Sequence, residues 1–101
     1  MGIDLRWEDE RGEQLAVLPD DGFVEQFLPP EDSPDFPCLR FVDPYGDTVF
    51  NQPQITQLLL ELESLSAQKH EPAVERHLRA VLAFVRKAAG SGHAYIRFYR
   101  D

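Results

Sequence analysis

The sequence predicts an α+β fold, an antiparallel-rich sheet of about five strands with a pair of helices packed on one face. Polar and apolar residues alternate in the opening and closing segments, as in strands that bury one face. Between residues 51 and 90, apolar residues recur at helical spacing in two successive stretches. With 101 residues, of which 43% are hydrophobic, the chain has room for a single domain, residues 1–101, with its own core.

The first two strands are predicted to form a hairpin over residues 3–18. Apolar and polar residues alternate in "IDLRWED", the stretch "DERG" turns the chain, and "EQLAVL" supplies the second strand. A short helix is expected at "FVEQFL", because its apolar residues share one helical face. Asp20 or Asp21 is positioned to cap this helix, and the double proline Pro29 and Pro30 ends it.

Residues 29–37, "PPEDSPDFP", form the main predicted loop, since four prolines in nine positions exclude a helix interior and a central strand. The three acids of the loop are Glu31, Asp32 and Asp35. Prolines reduce the entropy that a loop loses when a partner docks, so this segment is a candidate binding feature. The alternative is an exposed connection that its charges keep soluble.

The stretch "CLRFVDPYGDTVFN", residues 38–51, predicts a second hairpin, because "CLRFV" and "DTVFN" are rich in β-forming residues. The turn "DPYG" fits type I, with Asp43 bonding the backbone ahead and Gly46 in the positive-φ position of a bulge. Tyr45 is the one residue of the turn whose identity the turn geometry does not explain. Asp43 and Asp47 are a candidate carboxylate pair for ligand or catalytic use, although their spacing does not match a calcium loop.

Two antiparallel helices with a short connection are predicted next. Asn51 caps the first helix, and Gln54 stands three residues later as in a capping box. Leu60 falls outside the apolar stripe of this helix and is expected to be half exposed or to contact a neighbour. The second helix begins at Pro72 and ends at Gly90, with acids near its start and bases near its end. A single kinked helix is the alternative.

The closing segment "GSGHAYIRFYRD" predicts a last strand whose Ala94, Ile96 and Phe98 face the core. The opposite face would present arginines and tyrosines, from which interface hot spots are built. A sheet face without a partner has the same composition, so both interpretations stay open. The residues of that face would be Arg40, Tyr95, Arg97 and Tyr99, with Arg6. The predicted core residues of the sheet are Ile3, Leu5, Trp7, Leu39, Phe41, Ile96 and Phe98.

The net charge of −8 is unevenly distributed along the chain. Residues 1–47 contain thirteen acids and three arginines, a charge of −10, whereas residues 48–101 carry +2. The acidic half repels nucleic acid, so no nucleic acid partner is expected, and a protein with a basic surface is the more suitable partner. The alternative interpretation is that the acidity serves solubility.

The single cysteine, Cys38, excludes an internal disulfide and a cysteine-rich metal site, which indicates a reducing cytoplasm. The opening residues lack the basic flank and apolar block of a signal peptide, and no apolar run approaches the length of a membrane span. A cytoplasmic protein without membrane contact is therefore expected.

Catalytic signatures are missing from the sequence, which contains no glycine-rich phosphate loop, no G-x-S-x-G elbow and no H-E-x-x-H pair. Cys38 is interpreted as a small buried residue, and His70 and His77 as surface residues. His93, beside a glycine joint, is the one histidine that could act with the 43–47 turn. No catalytic residue, metal or cofactor is predicted.

The stretch "VDPYGDTVFN", a leucine-rich helix, a second helix and the terminal "HAYIRFYRD" resemble a group of small uncharacterised bacterial proteins. That group has a D-P-Y-G-D-T-x-F-N core and an aromatic C-terminal strand. The resemblance covers roughly residues 38–101 and implies a bacterial cytoplasmic protein that stands alone. It implies no activity, cofactor or binding residue.

The leading functional hypothesis is a non-enzymatic protein-binding module, an acidic inhibitor or immunity-type protein that neutralises a partner with a basic surface. One alternative is a small hydrolase or ligand-binding protein that uses the 43–47 turn with His93 and Arg97. Another is a homodimer that pairs through an exposed strand or the uncovered tyrosine face. The candidate binding residues are Glu31, Asp32, Asp35, Arg40, Asp43, Tyr45, Asp47, Tyr95, Arg97 and Tyr99.

Overall fold

The computed structural model describes residues 2–100 and has one antiparallel sheet of four strands in the order β2-β1-β4-β3. The strands are β1 (Ile3–Glu8), β2 (Gln14–Leu18), β3 (Thr48–Phe50) and β4 (Tyr95–Arg100). The helices are α1 (Val24–Phe27), α2 (Gln52–Ser66) and α3 (Pro72–Ala89), and a 3-10 turn covers Leu39–Phe41. The predicted α+β class is confirmed, with four strands in place of about five.

β1 and β4 form the centre of the sheet, and their register sorts the side chains between two faces. Leu5 pairs with Phe98, and both are fully buried in one core with the apolar stripes of α2 and α3. Successive residues of a strand point to opposite faces. The residues of β1 and β4 that alternate with the core residues therefore form a second face, turned away from the helices. The assignment of Ala94, Ile96 and Phe98 to the core is confirmed.

The starts of α1 and α2 follow the capping chemistry of the sequence. Asn51 Oδ1 accepts a hydrogen bond from the Gln54 N–H, and Gln54 Oε1 accepts one from the Asn51 N–H. The predicted capping box is therefore confirmed. The Asp20 carboxylate accepts hydrogen bonds from the N–H groups of Phe23 and Val24, and in this way it caps α1.

α2 and α3 are separate helices joined by residues 67–71, so the alternative of one kinked helix is wrong. α3 begins at Pro72 and has Gly90 as its C-cap, as predicted. Leu60 lies outside the buried stripe of α2 and is 58% exposed. None of the helices in residues 2–100 combines the length and the apolar character that a membrane crossing requires.

The segment predicted as a third strand, "CLRFV", instead contains the 3-10 turn. Glu61, buried within α2, explains the difference, because its carboxylate accepts hydrogen bonds from the Cys38 N–H (3.1 Å) and the Leu39 N–H (2.8 Å). These N–H groups begin the turn, so the distant acid acts as its cap. The predicted second hairpin is therefore wrong, and β3 pairs with β4 instead.

Two residues predicted for the core of the sheet are exposed or only partly buried. Phe41 is 63% exposed, because a helical turn replaces the strand alternation that would have turned its ring inward. Trp7 packs against the core but is only partly buried, since its neighbour towards the sheet edge is the small residue Ala16.

The "DPYG" sequence still forms a turn without the preceding strand. The Gly46 N–H donates to the Asp43 carbonyl, and the Tyr45 N–H donates to Asp43 Oδ1 at 2.8 Å. The predicted bulge is wrong, since Gly46 does not have a positive φ. Glycine avoids a different conflict, because a Cβ at this position would lie 2.9 Å from Asp43 Oδ2 and the carboxylate would have to shift.

A buried acid also holds one of the histidines assigned to the surface. The side chain of His77, in α3, is only 13% exposed, and its Nε2 lies 3.2 Å from Asp20 Oδ1. Asp20 also accepts a hydrogen bond from the Ile3 N–H, so its carboxylate connects β1, α1 and α3. The surface assignment of His77 is therefore wrong. His70 is also half-buried and binds a backbone carbonyl of α2.

Candidate functional site

One row of side chains crosses all four strands on the sheet face opposite the helices. The register pairs Val17 with Arg6, Arg6 with Arg97, and Arg97 with Val49. Val17 and Val49, at the two ends of the row, are each 41% exposed. Two tyrosines of β4 lie on the same face. We call this surface the open sheet face, and its residues are Arg6, Val17, Val49, Tyr95, Arg97 and Tyr99.

The two arginines of this face are neutralised by acids beside them. Glu8 lies 3.4 Å from Arg6 Nη1 and 3.1 Å from Arg97 Nε, and Asp47 accepts a hydrogen bond from Arg97 Nη1 at 3.0 Å. Glu8 raises the pKa of Arg97, because the carboxylate stabilises the charged guanidinium. The Arg6 guanidinium also lies 4.7 Å from the Tyr99 ring centroid. Glu8 and Asp47 offset the two arginines, and Asp4, which pairs with Tyr99 in the register, is a further, buried acid on the same face.

A second surface lies where the proline-rich loop meets the "DPYG" turn. Glu31 of the loop and Asp43 of the turn line the same cleft, which has a volume of about 410 Å³. A neighbouring cleft of about 260 Å³ shares Glu31 and continues along Pro29 and Pro30. We call the first of these the acidic cleft, and its lining residues are Glu31, Arg40, Phe41, Val42, Asp43 and Pro44.

Two exposed aromatic side chains belong to this region. Phe41 lines the acidic cleft and is 63% exposed, and Tyr45, which follows Asp43 and Pro44 in the turn, is 83% exposed. The Arg40 guanidinium lies 4.7 Å from the centroid of the Phe41 ring. The cleft therefore combines two carboxylates with one exposed aromatic ring, beside which the cation Arg40 already lies.

The acids of the cleft and of the loop beside it have no cationic partner among residues 2–100. Glu31, Asp32, Asp35 and Asp43 form none of the ion pairs of this part of the chain. All four are exposed. Asp47, only four residues after Asp43, differs because it is bound to Arg97.

β4 fixes the turn at two points. Arg97 binds Asp47 at the end of the turn, and Arg100 Nη1 donates a hydrogen bond to the Pro44 carbonyl at 2.8 Å. Arg100 also binds Glu25 of α1 and lies 5.5 Å from the Tyr45 ring centroid. The turn is thus attached to the sheet and to α1, which limits the positions that its exposed side chains can take.

The candidate residues of the sequence analysis divide between these surfaces. Tyr95, Arg97 and Tyr99 lie on the open sheet face, as predicted, with Arg6. Arg40 does not, because it belongs to the 3-10 turn and lines the acidic cleft.

The turn acids do not face one common site. Asp43 lines the acidic cleft, whereas Asp47 binds Arg97 beside the open sheet face. His93 lines a separate cavity of about 280 Å³ with Asn51 and Tyr95. The acidic cleft and the His93 cavity share no lining residue, so this geometry does not assemble the acid-base site that the hydrolase hypothesis requires.

Cys38 and the metal-binding side chains offer no reactive centre. Burial, together with the neighbouring Glu61, raises the pKa of the Cys38 thiol to about 11, so the thiol is protonated at neutral pH. The interpretation of Cys38 as a small buried residue is confirmed. No group of three or more histidine, cysteine or acidic side chains within residues 2–100 could hold a metal ion.

Comparison with known proteins gives no match to this chain among family models, curated proteins or solved structures. The resemblance to small bacterial proteins with a D-P-Y-G-D-T-x-F-N core therefore stays a prediction.

Sequence reasoning missed several residues that build these surfaces. Glu8 had a readable signal, because it is two residues from Arg6 in an alternating strand and must share its face. Glu61, Phe41 and Arg100 had none. The positions of Glu61 and Phe41 depend on the contact between α2 and residues 38–39, and that of Arg100 depends on the contact between β4 and the turn. The sequence pattern reveals neither contact.

Proposed function

We propose that this chain is a non-enzymatic protein-binding module, an acidic inhibitor of the immunity type that acts in the bacterial cytoplasm on a partner with a basic surface. The acidic cleft is the proposed docking site. The observation that carries the proposal is that Glu31 and Asp43, from separate segments, line one cleft beside the exposed ring of Phe41.

Unpaired charges at this surface favour a basic partner. Because Glu31 and Asp43 form no ion pair within residues 2–100, although Arg40 lines the same cleft, a lysine or arginine of a partner would gain ion pairs without breaking existing ones. Asp32 and Asp35 add negative charge beside the cleft. Such charges accelerate encounter with an oppositely charged surface and reject acidic competitors.

The aromatic side chains would supply the anchor that charge alone does not provide. Exposed charge pairs contribute little to affinity, whereas buried aromatic residues dominate most interfaces. Phe41 and Tyr45 are the most exposed large hydrophobic side chains described; Phe41 lines the cleft, and Tyr45 follows the lining residue Pro44 in the turn. Arg40 and Arg100 already lie beside these two rings, so the rings would chiefly contribute apolar contact area, and the carboxylates would form the ion pairs with the partner.

The cleft is also held rigidly, which lowers the entropy lost on binding. Glu61 caps the 3-10 turn that carries Phe41, and Arg100 donates a hydrogen bond to the carbonyl of Pro44, another lining residue. The Asp43 N–H donates to Thr48 Oγ1 at 2.9 Å, which fixes the turn from its other side. A partner would therefore meet a surface that is already in its binding shape.

Site-specific crosslinking tests this proposal. A photoreactive phenylalanine analogue replaces Phe41 in one variant and Leu60 in a matched control, because these side chains are 63% and 58% exposed. After illumination in cells of the source organism, we expect a protein with a basic surface to be crosslinked from position 41 and not from position 60. Equal crosslinking from both positions, or an acidic protein as the main product at position 41, would contradict the proposal.

A further inference from the structure

We infer that the open sheet face is a second interface and that a second copy of this chain docks on it. The inference is independent of the proposed function, because the open sheet face and the acidic cleft share no residue. It begins from the local charge. Glu8 and Asp47 offset Arg6 and Arg97, and the buried Asp4 is the one further acid that the strands place on this face, so the face carries much less negative charge than the chain as a whole.

Two copies of this acidic chain repel each other least where the surfaces in contact carry little net charge. Two copies that each carry −8 repel each other at long range, and contact is least opposed where the facing surfaces are neutral. The exposed carboxylates beside the acidic cleft would face like charges in a contact between copies. The open sheet face instead offers two valines and two tyrosines around ion pairs that are already formed.

The edges of the sheet are protected against pairing, which favours contact through the face. β3 has only three residues and follows Asp47, and an exposed edge strand this short is a poor template. β2 has an irregular register with β1 near Gln14, and Pro19 follows its last residue. Bulges and prolines are common devices against edge-to-edge pairing.

The row across the strands is suited to a two-fold contact, in which one patch must complement itself. Its ends are both valine, Val17 and Val49, and its centre is the arginine pair. A two-fold axis parallel to the strands would set Val17 of each copy against Val49 of the other. It would also set Arg6 against Arg97 of the other copy, and the carboxylates of Glu8 and Asp47 bound to these arginines would have to screen that contact. The two tyrosines of β4 would fill the space between the sheets, which pack about 10 Å apart in such arrangements.

Salt should act on this contact in the opposite direction to the proposed partner binding. Added salt screens repulsion between two acidic copies and so strengthens the dimer, whereas it weakens attraction between the acidic cleft and a basic partner. Dimerisation and partner binding can therefore be disproved independently, because a salt titration of one does not predict the result for the other.

Sedimentation equilibrium of the full chain tests the inference. We expect the average mass to rise from monomer to dimer with protein concentration, and to rise further between about 0.05 and about 0.5 M NaCl. Val17→Lys and Val49→Lys should each weaken the dimer association constant by about tenfold or more. Leu60→Lys, which changes an apolar residue on α2 that is more exposed than either valine, should leave the association constant unchanged.

Conservative variants keep the test valid if a lysine disturbs the fold. Val17→Thr and Val49→Thr retain the β-branched shape of valine, and they should weaken the dimer by a smaller factor in the same direction. A monomer mass for the native chain at every concentration and salt would overturn the inference. So would a dimer that Leu60→Lys dissociates and that both valine substitutions leave intact.

Discussion

Arg6 of β1 and Arg97 of β4 lie directly opposite each other in the sheet, and the buried carboxylate of Glu8 lies within ion-pair distance of both. Like charges at such a cross-strand position repel, so the arginine pair depends on the acid between them. Through Asp47, the same cluster reaches the turn that carries Asp43 and Tyr45. One buried acid thus supports the open sheet face and one attachment point of the turn.

Replacement of Glu8 by glutamine should destabilise the protein, because it leaves two opposed arginines without the carboxylate that they share. We expect Glu8→Gln to lower the free energy of unfolding by about 2 kcal/mol in urea denaturation. Asp47→Asn is the matched control, since this acid is exposed and binds only Arg97, and it should cost about 0.5 kcal/mol or less. Equal stability of the two variants would contradict this role of Glu8.

Glu61 should be required for the 3-10 turn that carries Phe41. Glu61→Leu removes the acceptor for the N–H groups of Cys38 and Leu39, and unpaired buried donors are costly, so we expect a loss of about 3 kcal/mol. Glu61→Gln retains a carbonyl acceptor and should cost about 1 kcal/mol. In hydrogen exchange, the amides of residues 38 and 39 should lose protection more than those of β1. Uniform loss of protection would contradict a local capping role.

The Cys38 thiol should make stability depend on alkaline pH. Its pKa is raised to about 11 in the folded chain from an ordinary value of 9.0, so the folded state retains a proton that the unfolded state loses. The corresponding stabilisation is complete below pH 9.0 and disappears as the pH rises towards about 11. Cys38→Ala should therefore lose less stability over this interval than the native chain, measured by urea denaturation. Parallel losses would argue against a buried, protonated thiol.

Sequence patterning predicted the parts of the fold that depend on local chemistry. The hairpin of β1 and β2, the capping box at Asn51, the stripe of α3 and the faces of β4 all follow from alternation, helical spacing or capping. These features involve residues close together in the chain. For that reason they could be predicted without knowledge of the tertiary structure.

The segment 38–42 shows why the 3-10 turn and the acidic cleft could not be predicted from the sequence. Its β-forming residues favour a strand, yet a carboxylate 22 residues from Leu39 caps its backbone and makes a helical turn. With this turn in place of a strand, Phe41 is exposed and Arg40 lines the acidic cleft rather than the sheet face. The residues of the candidate site were therefore predictable in part, whereas their arrangement depends on tertiary hydrogen bonds of Glu61 and Arg100 that the sequence pattern does not reveal.

The salt dependence of partner binding tests the central claim most directly. For the protein crosslinked through position 41, we expect affinity for the native chain to fall at least about tenfold between about 0.05 and about 0.5 M NaCl. The double variant Glu31→Gln, Asp43→Asn keeps the turn, because the asparagine carbonyl can still accept from the Tyr45 N–H, and it should show a clearly smaller slope. An affinity that ignores salt, or an identical slope in the double variant, would contradict binding of a basic partner at the acidic cleft.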